Sequence, residues 1–226
     1  MSSTVPTEPF VAVIGDLVGS RQIEDRAAAQ ERLVEVLELL NTKYREHVAS
    51  RFVVTLGDEF QGLLAIDAPV DGLWWTYQRE MPYPTHFGFG FGTLATPLKA
   101  EALGMDGPCW YAARSALELA EVEARRFTVE IVGEPATSRR LNKIISLIDR
   151  TMERWTPKQL DTVLLLQELE SQLEVAESRG VKAQTVSGSL EASLGQDVLD
   201  SISGVLELAQ SISRTSPSQE QRVEIG

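Results

Sequence analysis

Residues 87–92 read Phe-Gly-Phe-Gly-Phe-Gly. Successive side chains of an extended chain point to opposite faces, so Phe87, Phe89 and Phe91 share one side and bare glycine occupies the other. This predicts a strand with one aromatic face, and a second face that a helix or a ligand can approach closely. The rest of the chain must be arranged around that layer.

Other segments supply it with neighbours. Residues 10–14 form a continuous apolar run ending in Gly15-Asp16, the pattern of a buried strand entering a tight turn. Residues 24–44 place Leu33, Val36, Leu37 and Leu40 at helical spacing. Two strand-like runs, 52–56 and 60–66, are separated only by Gly57-Asp58-Glu59, which is a hairpin signal. Helices are predicted over 68–81, over 106–123 with Ala113, Ala116, Leu117 and Ala120 on one stripe, and over 136–152; residues 127–132 return to strand. The hairpin requires antiparallel pairing and the helical crossovers favour parallel neighbours. The expectation is an α/β (α+β) fold with a mixed sheet and its helices on one face.

Near Trp155-Thr156-Pro157 the chain becomes helix-rich, with Thr156 placed as a cap and Pro157 in a first turn. The expected division is an α/β domain over 1–152, a small all-α helix-turn-helix domain over 153–214 and a flexible tail over 215–226. Residues 171–190 fit the helix-turn-helix, with Gly180 at the turn. Lys182, Gln184, Thr185 and Ser187 would then face outward and reach DNA base edges. The competing reading is a protein-interaction module, since only Arg179 and Lys182 stand against Glu170, Glu174, Glu177 and Glu191. Beyond it, Val198, Leu199, Ile202, Val205, Leu206, Ala209 and Ile212 form an apolar stripe that either closes the small domain or pairs two chains.

Charge and composition narrow the function. The net charge is -12, and residues 1–150 and 151–226 each carry six more acids than bases, so any polyanion site must be a local patch. Cys109 is the single cysteine, which excludes an intramolecular disulfide and a cysteine-cluster zinc site; with only His47 and His86, a bound metal must be held by oxygen. No apolar run approaches the ~18 residues of a membrane span, and the opening MSSTVPTEPF lacks the features of a signal peptide, so a cytoplasmic protein is expected.

Two acidic positions stand out. Asp16 ends the first strand and Asp58-Glu59 lies at the hairpin tip. Taken singly, each is ordinary turn chemistry. If the strand ends lie side by side, the carboxylates meet and repel unless a cation sits between them, and magnesium suits one or two carboxylates with substrate phosphates. A turn at Gly19 opening a helix would aim backbone amides at a phosphate, with Ser20 and Arg21 as side-chain donors. Trp74, Trp75 and Trp110 read as packing residues, Cys109 as a small buried side chain, and His86 receives no role.

The segments FVAVIGDLVGSR, TLGDEFQGLL, FGFGFGT and GMDGPCWYAAR, in this order, resemble the SatD family of bacterial proteins. More distantly they are similar to class III nucleotidyl cyclases and GGDEF-type diguanylate cyclases. That resemblance implies a ferredoxin-like, cyclase-like fold in which Asp16 and Asp58 bind magnesium around a nucleotide, with Arg114 at the position of a transition-state arginine. Trp110 stands where cyclases commonly have asparagine, Val54 where they read the base, and Leu56 where GGDEF has its first glycine. WTPKQLDTVLLLQEL resembles the first helix of a sigma-factor region 4 or LuxR-type module. The reading that follows is a regulator: a cyclase-like domain binding a phosphorylated ligand with magnesium, held by Asp16 and Asp58 with Glu59 as a second ligand or shell group, joined to a DNA-binding helix-turn-helix, acting as a homodimer. An active magnesium-dependent cyclase or nucleotidyltransferase and a noncatalytic adaptor are the alternatives.

Overall fold

The computed structural model describes residues 4–215; the expected tail lies, apart from Thr215, outside the described residues. The chain runs β1 (Phe10–Leu17), α1 (Arg26–Lys43), β2 (Val48–Leu56), β3 (Glu59–Ala65), α2 (Val70–Glu80), β4 (Thr85–Gly92), α3 (Pro108–Val122), β5 (Phe127–Ile131), α4 (Pro135–Met152), α5 (Pro157–Leu169), α6 (Gln172–Arg179), α7 (Ala183–Ser193) and α8 (Gly195–Thr215). The five strands form one sheet in the order β2-β3-β1-β4-β5. Every pairing is antiparallel except β4 with β5, so the sheet is mixed as expected.

Alternation along β4 has the predicted consequence on both sides. Phe87, Phe89 and Phe91 are fully buried among Phe60, Tyr77 and Phe127, with the Tyr77 and Phe87 rings edge-on at 4.8 Å. Leu33, Leu37 and Leu40 of α1, Trp74 of α2, Ile145 of α4 and Ile202 of α8 join the same apolar cluster. The glycine side receives α3: a Cβ on Gly90 would fall 2.1 Å from the Cys109 carbonyl oxygen, and one on Gly88 2.1 Å from that of Ala113. Cys109, Trp110, Ala113 and Leu117 pack there on Phe10, Ala12, Ile14 and Leu63. The helices therefore cover both faces, not one, because the Gly88/Gly90 stripe seats a helix backbone.

The C-terminal helices share the main apolar cluster: Val163, Val175, Val186, Leu190 and Val198 are continuous with Val11, Trp74 and Phe89. Helix α8 returns to the sheet domain, where the Gln210 amide donates to the carbonyls of Ile66 and Ala68, both at 2.8 Å. Trp155 donates its indole N–H to Ser193 at 2.8 Å. A capping box at Thr156 and Gln159 starts α5 as predicted.

Both outer strands are covered by helix side chains. On α1, Asn41 accepts from the Phe52 N–H (2.8 Å) and donates to its carbonyl (3.0 Å); the segment after β4 adds Ala100 and Ala102, bonded to Arg51. On α4, Asn142 does the same for Val129 at 2.9 Å in each direction, and Ser138 accepts from the Ile131 N–H. Asp149, two turns further, accepts from the Arg126 N–H through Oδ2 while Oδ1 lies 3.7 Å from the Arg126 guanidinium.

Burial raises the Asp149 carboxyl from the usual 3.8 to about 6, against the opposing pull of Arg126. A folded-state value above the unfolded one means the native chain holds the extra proton between those two pH values, so stability falls as pH rises through that window. Asp149→Asn removes this fall. Relative to wild type, the variant should gain about 2–3 kcal/mol between about pH 4 and about pH 8. Urea unfolding at both pH values measures it, and a pH-independent difference would contradict this account.

Candidate functional site

Antiparallel pairing on both sides of β1 assembles one row across the sheet. Asp16 is opposite Glu59 on β3 and opposite His86 on β4, and Leu56 on β2 is opposite Glu59. Directly opposed residues share a face, and this row lies on the same face as Ala12 and Ile14, beneath α3. The two acidic positions picked out by the sequence are therefore brought together. His86 joins them, although no acid is near it in the sequence.

Helix α3 contributes charge from above. Arg114 grips Glu59 through two parallel contacts, Nη1 to Oε2 at 2.6 Å and Nη2 to Oε1 at 2.8 Å, and Thr55 donates to Glu59 Oε1 at 3.0 Å. This fork holds the Glu59 carboxyl below its ordinary range. Asp16 behaves oppositely: partial burial, then repulsion from Asp58, Glu121 and Glu59, raises it from 3.8 to about 6, with His86 opposing. Glu121, seven residues after Arg114 on one helix, is a member the sequence reading missed, though the two-turn spacing was visible. Asp58 is 3.7 Å from Arg26, and Gln30 donates to the Gly57 carbonyl at 2.9 Å, so α1 steadies the hairpin tip.

The expected phosphate turn is built differently. Gly19 does adopt a left-handed backbone (φ 62°), but it leads into a three-residue 3₁₀ turn, Ser20–Gln22. The helix proper begins at Arg26, where Asp25 accepts the Ala28 N–H at 3.0 Å. Its N-terminus is thus occupied by an acid, because Asp25 out-competes Gly19 as a cap. Ser20 is buried and Arg21 is exposed.

Among the described residues no set of three or more His, Cys, Asp or Glu side chains is gathered as metal ligands. Of the three expected metal donors, Glu59 is committed to Arg114, which leaves Asp16 and Asp58 as the carboxylates that could hold a magnesium ion. Two carboxylates with water completing an octahedron satisfy that ion's needs. The packing assignments hold: Trp74, Trp75 and Trp110 are buried, and burial pushes the Cys109 thiol up to about 12, leaving it unreactive.

The second expected site lies on α6 and α7. These helices are joined through Gly180, in the left-handed region at φ 61°; both pack on α5 and α7 also packs on α8, with Val175, Ala176, Val186 and Leu190 buried. Lys182, Gln184, Thr185 and Ser187 are all exposed. Arg179 is turned inward, 3.4 Å from Asp161 and hydrogen-bonded to Thr162.

The SatD family model matches residues 10–196, from the first residue of β1 to the second of α8. The chain belongs to the SatD family. The matched stretch thus takes in α5, α6 and α7 as well as the sheet and α3. No curated protein matches the chain. Among the described residues no helix is long and apolar enough to cross a membrane.

Proposed function

We propose that this SatD-family chain is a cytoplasmic regulator whose sheet domain binds a phosphorylated ligand, such as a nucleotide, together with magnesium. The observation that carries this reading is the row itself: Asp16, opposite Glu59 and repelled by Asp58 and Glu121, is a carboxylate that a cation would relieve. Asp16 and Asp58 would hold the ion, Glu59 would orient Arg114, and the exposed Arg21 would meet phosphate. Bound magnesium would supply charge neutralisation for the phosphates. The βαββαβ order with β2-β3-β1-β4 pairing supports a ferredoxin-like, cyclase-like ancestry. Occupation of Arg114 by Glu59 favours ligand holding over turnover by a cyclase or nucleotidyltransferase.

Unfolding temperature decides it. At about pH 7.5, several millimolar magnesium or manganese should raise the wild-type midpoint by at least about 3 °C, and ATP or GTP should raise it further. Asp16→Asn and Asp58→Asn should lose that response. In EDTA, Asp16→Asn should unfold no lower than wild type, since it removes repulsion, so loss of response is distinct from loss of fold. No metal response in the wild type refutes the reading, and product formed from ATP or GTP would make the protein an enzyme.

In the same proposal α7 reads DNA as part of a homodimer, through Lys182, Gln184, Thr185 and Ser187. The inward turn of Arg179 and the exposed Glu174, Glu177 and Glu191 favour a second reading, a protein-docking face. Binding to a random DNA pool at low salt, lost in Lys182→Glu, supports the first; absence of binding leaves the second.

A further inference from the structure

A cleft of about 430 Å³ opens where the β1 exit, the α2–β4 connection, the α3–β5 turn and α4–α5 come together. One wall is apolar: Trp75, Met81 and Met152 are buried side chains that line it. Among the described residues the charged side chains lining it are Arg125 and Arg126, with His86 beside them, and no acid is in the lining. In a chain carrying twelve more acids than bases, two arginines beside an apolar wall are a local basic feature, although Glu123 and Asp149 stand behind them.

The arginines are positioned, not loose. Arg125 Nε donates to Glu123 at 2.6 Å, and the Arg126 guanidinium lies 3.7 Å from Asp149, too far for a direct hydrogen bond. Ala124, just before them and also lining the cleft, is held at φ 51°, a left-handed backbone that costs a non-glycine residue energy and aims the turn. The mouth is braced by Pro82 and Pro84, and Val18 N–H donates to the Pro84 carbonyl at 2.9 Å. Trp75 carries a buried indole N–H with no hydrogen-bond partner among the described residues.

We propose that this cleft is a binding site for a small amphipathic anion: a flat apolar body against Trp75, Met81 and Met152, with a carboxylate, sulfonate or phosphate group at Arg125 and Arg126. Pocket size, aromatic lining and a few convergent charges are the usual make-up of a small-molecule site, and an anion bound to arginine gains charge-assisted hydrogen bonds. The inference does not depend on metal at Asp16. His86 and Val18 join the two places, because His86 opposes Asp16 on the sheet and Val18 follows it by two residues.

Two probes with the same body and different charge test it on the full chain. Anilinonaphthalene sulfonate should bind one per chain, about tenfold or more tighter than phenylnaphthylamine, which lacks the sulfonate. Val18→Trp fills the mouth from an exposed position and should weaken the sulfonate about tenfold; Leu160→Trp does so from α5 and serves if the first variant unfolds. Leu173→Trp, on exposed α6, should leave binding unchanged. Equal affinity for the two probes, several sulfonate molecules per chain, or full affinity in both filling variants would overturn the proposal.

Discussion

Gly90→Ala is expected to destabilise the protein by about 3 kcal/mol or more. The added carbon would lie 2.1 Å from the Cys109 carbonyl oxygen and 2.2 Å from the Ala113 nitrogen, and both are helix backbone, which cannot swing aside as a side chain can. All of α3 would have to lift, taking Arg114 away from Glu59. Gly204→Ala is the matched control: this glycine is exposed within α8 and a Cβ there meets nothing within 4 Å, so alanine should stabilise by about 1 kcal/mol through helix propensity. Urea midpoints of the two variants should move in opposite directions. A Gly90→Ala protein within about 1 kcal/mol of wild type would mean that α3 does not seat as described.

Asn142→Ala should cost about 2–4 kcal/mol, since it strands two buried peptide groups at once. The Val129 N–H and carbonyl have the Asn142 amide as their partner at 2.9 Å each, and no water reaches a site whose Val129 side chain is wholly enclosed. Asn41→Ala should behave alike at Phe52. Hydrogen exchange separates this from general loosening: the Val129 amide should lose protection in Asn142→Ala ahead of the Phe89 amide. Unchanged exchange at Val129 would remove the role assigned to the asparagine.

What could be foreseen was set by short-range physics. The Phe-Gly alternation, the Gly57-Asp58-Glu59 hairpin and the Leu33 to Leu40 spacing each act within a few residues, and each element formed where they pointed. Alternation along β1, which runs on to Leu17 instead of turning at Gly15-Asp16, places Asp16 on the face of Ala12 and Ile14. It did not tell which helix would cover that face, because the choice between α3 and its competitors rests on helix backbone fitting Gly88 and Gly90. Register was equally hidden: His86 and Glu59 are 70 and 43 residues from Asp16 in the chain, and only strand pairing makes them neighbours. The Gly19 turn misled because Asp25, a stronger cap, sits six residues downstream.

The asparagines on α1 and α4 have a consequence beyond stability. With Asn41 and the 100–102 strip shutting one border of the layer, and Ser138 with Asn142 shutting the other, the outermost peptide groups already have partners. A neighbouring polypeptide meets occupied peptide groups at Arg51 and Phe52 on one border and along Val129 to Ile131 on the other, so much of this layer is guarded against fibrous polymerisation and strand theft at high protein density.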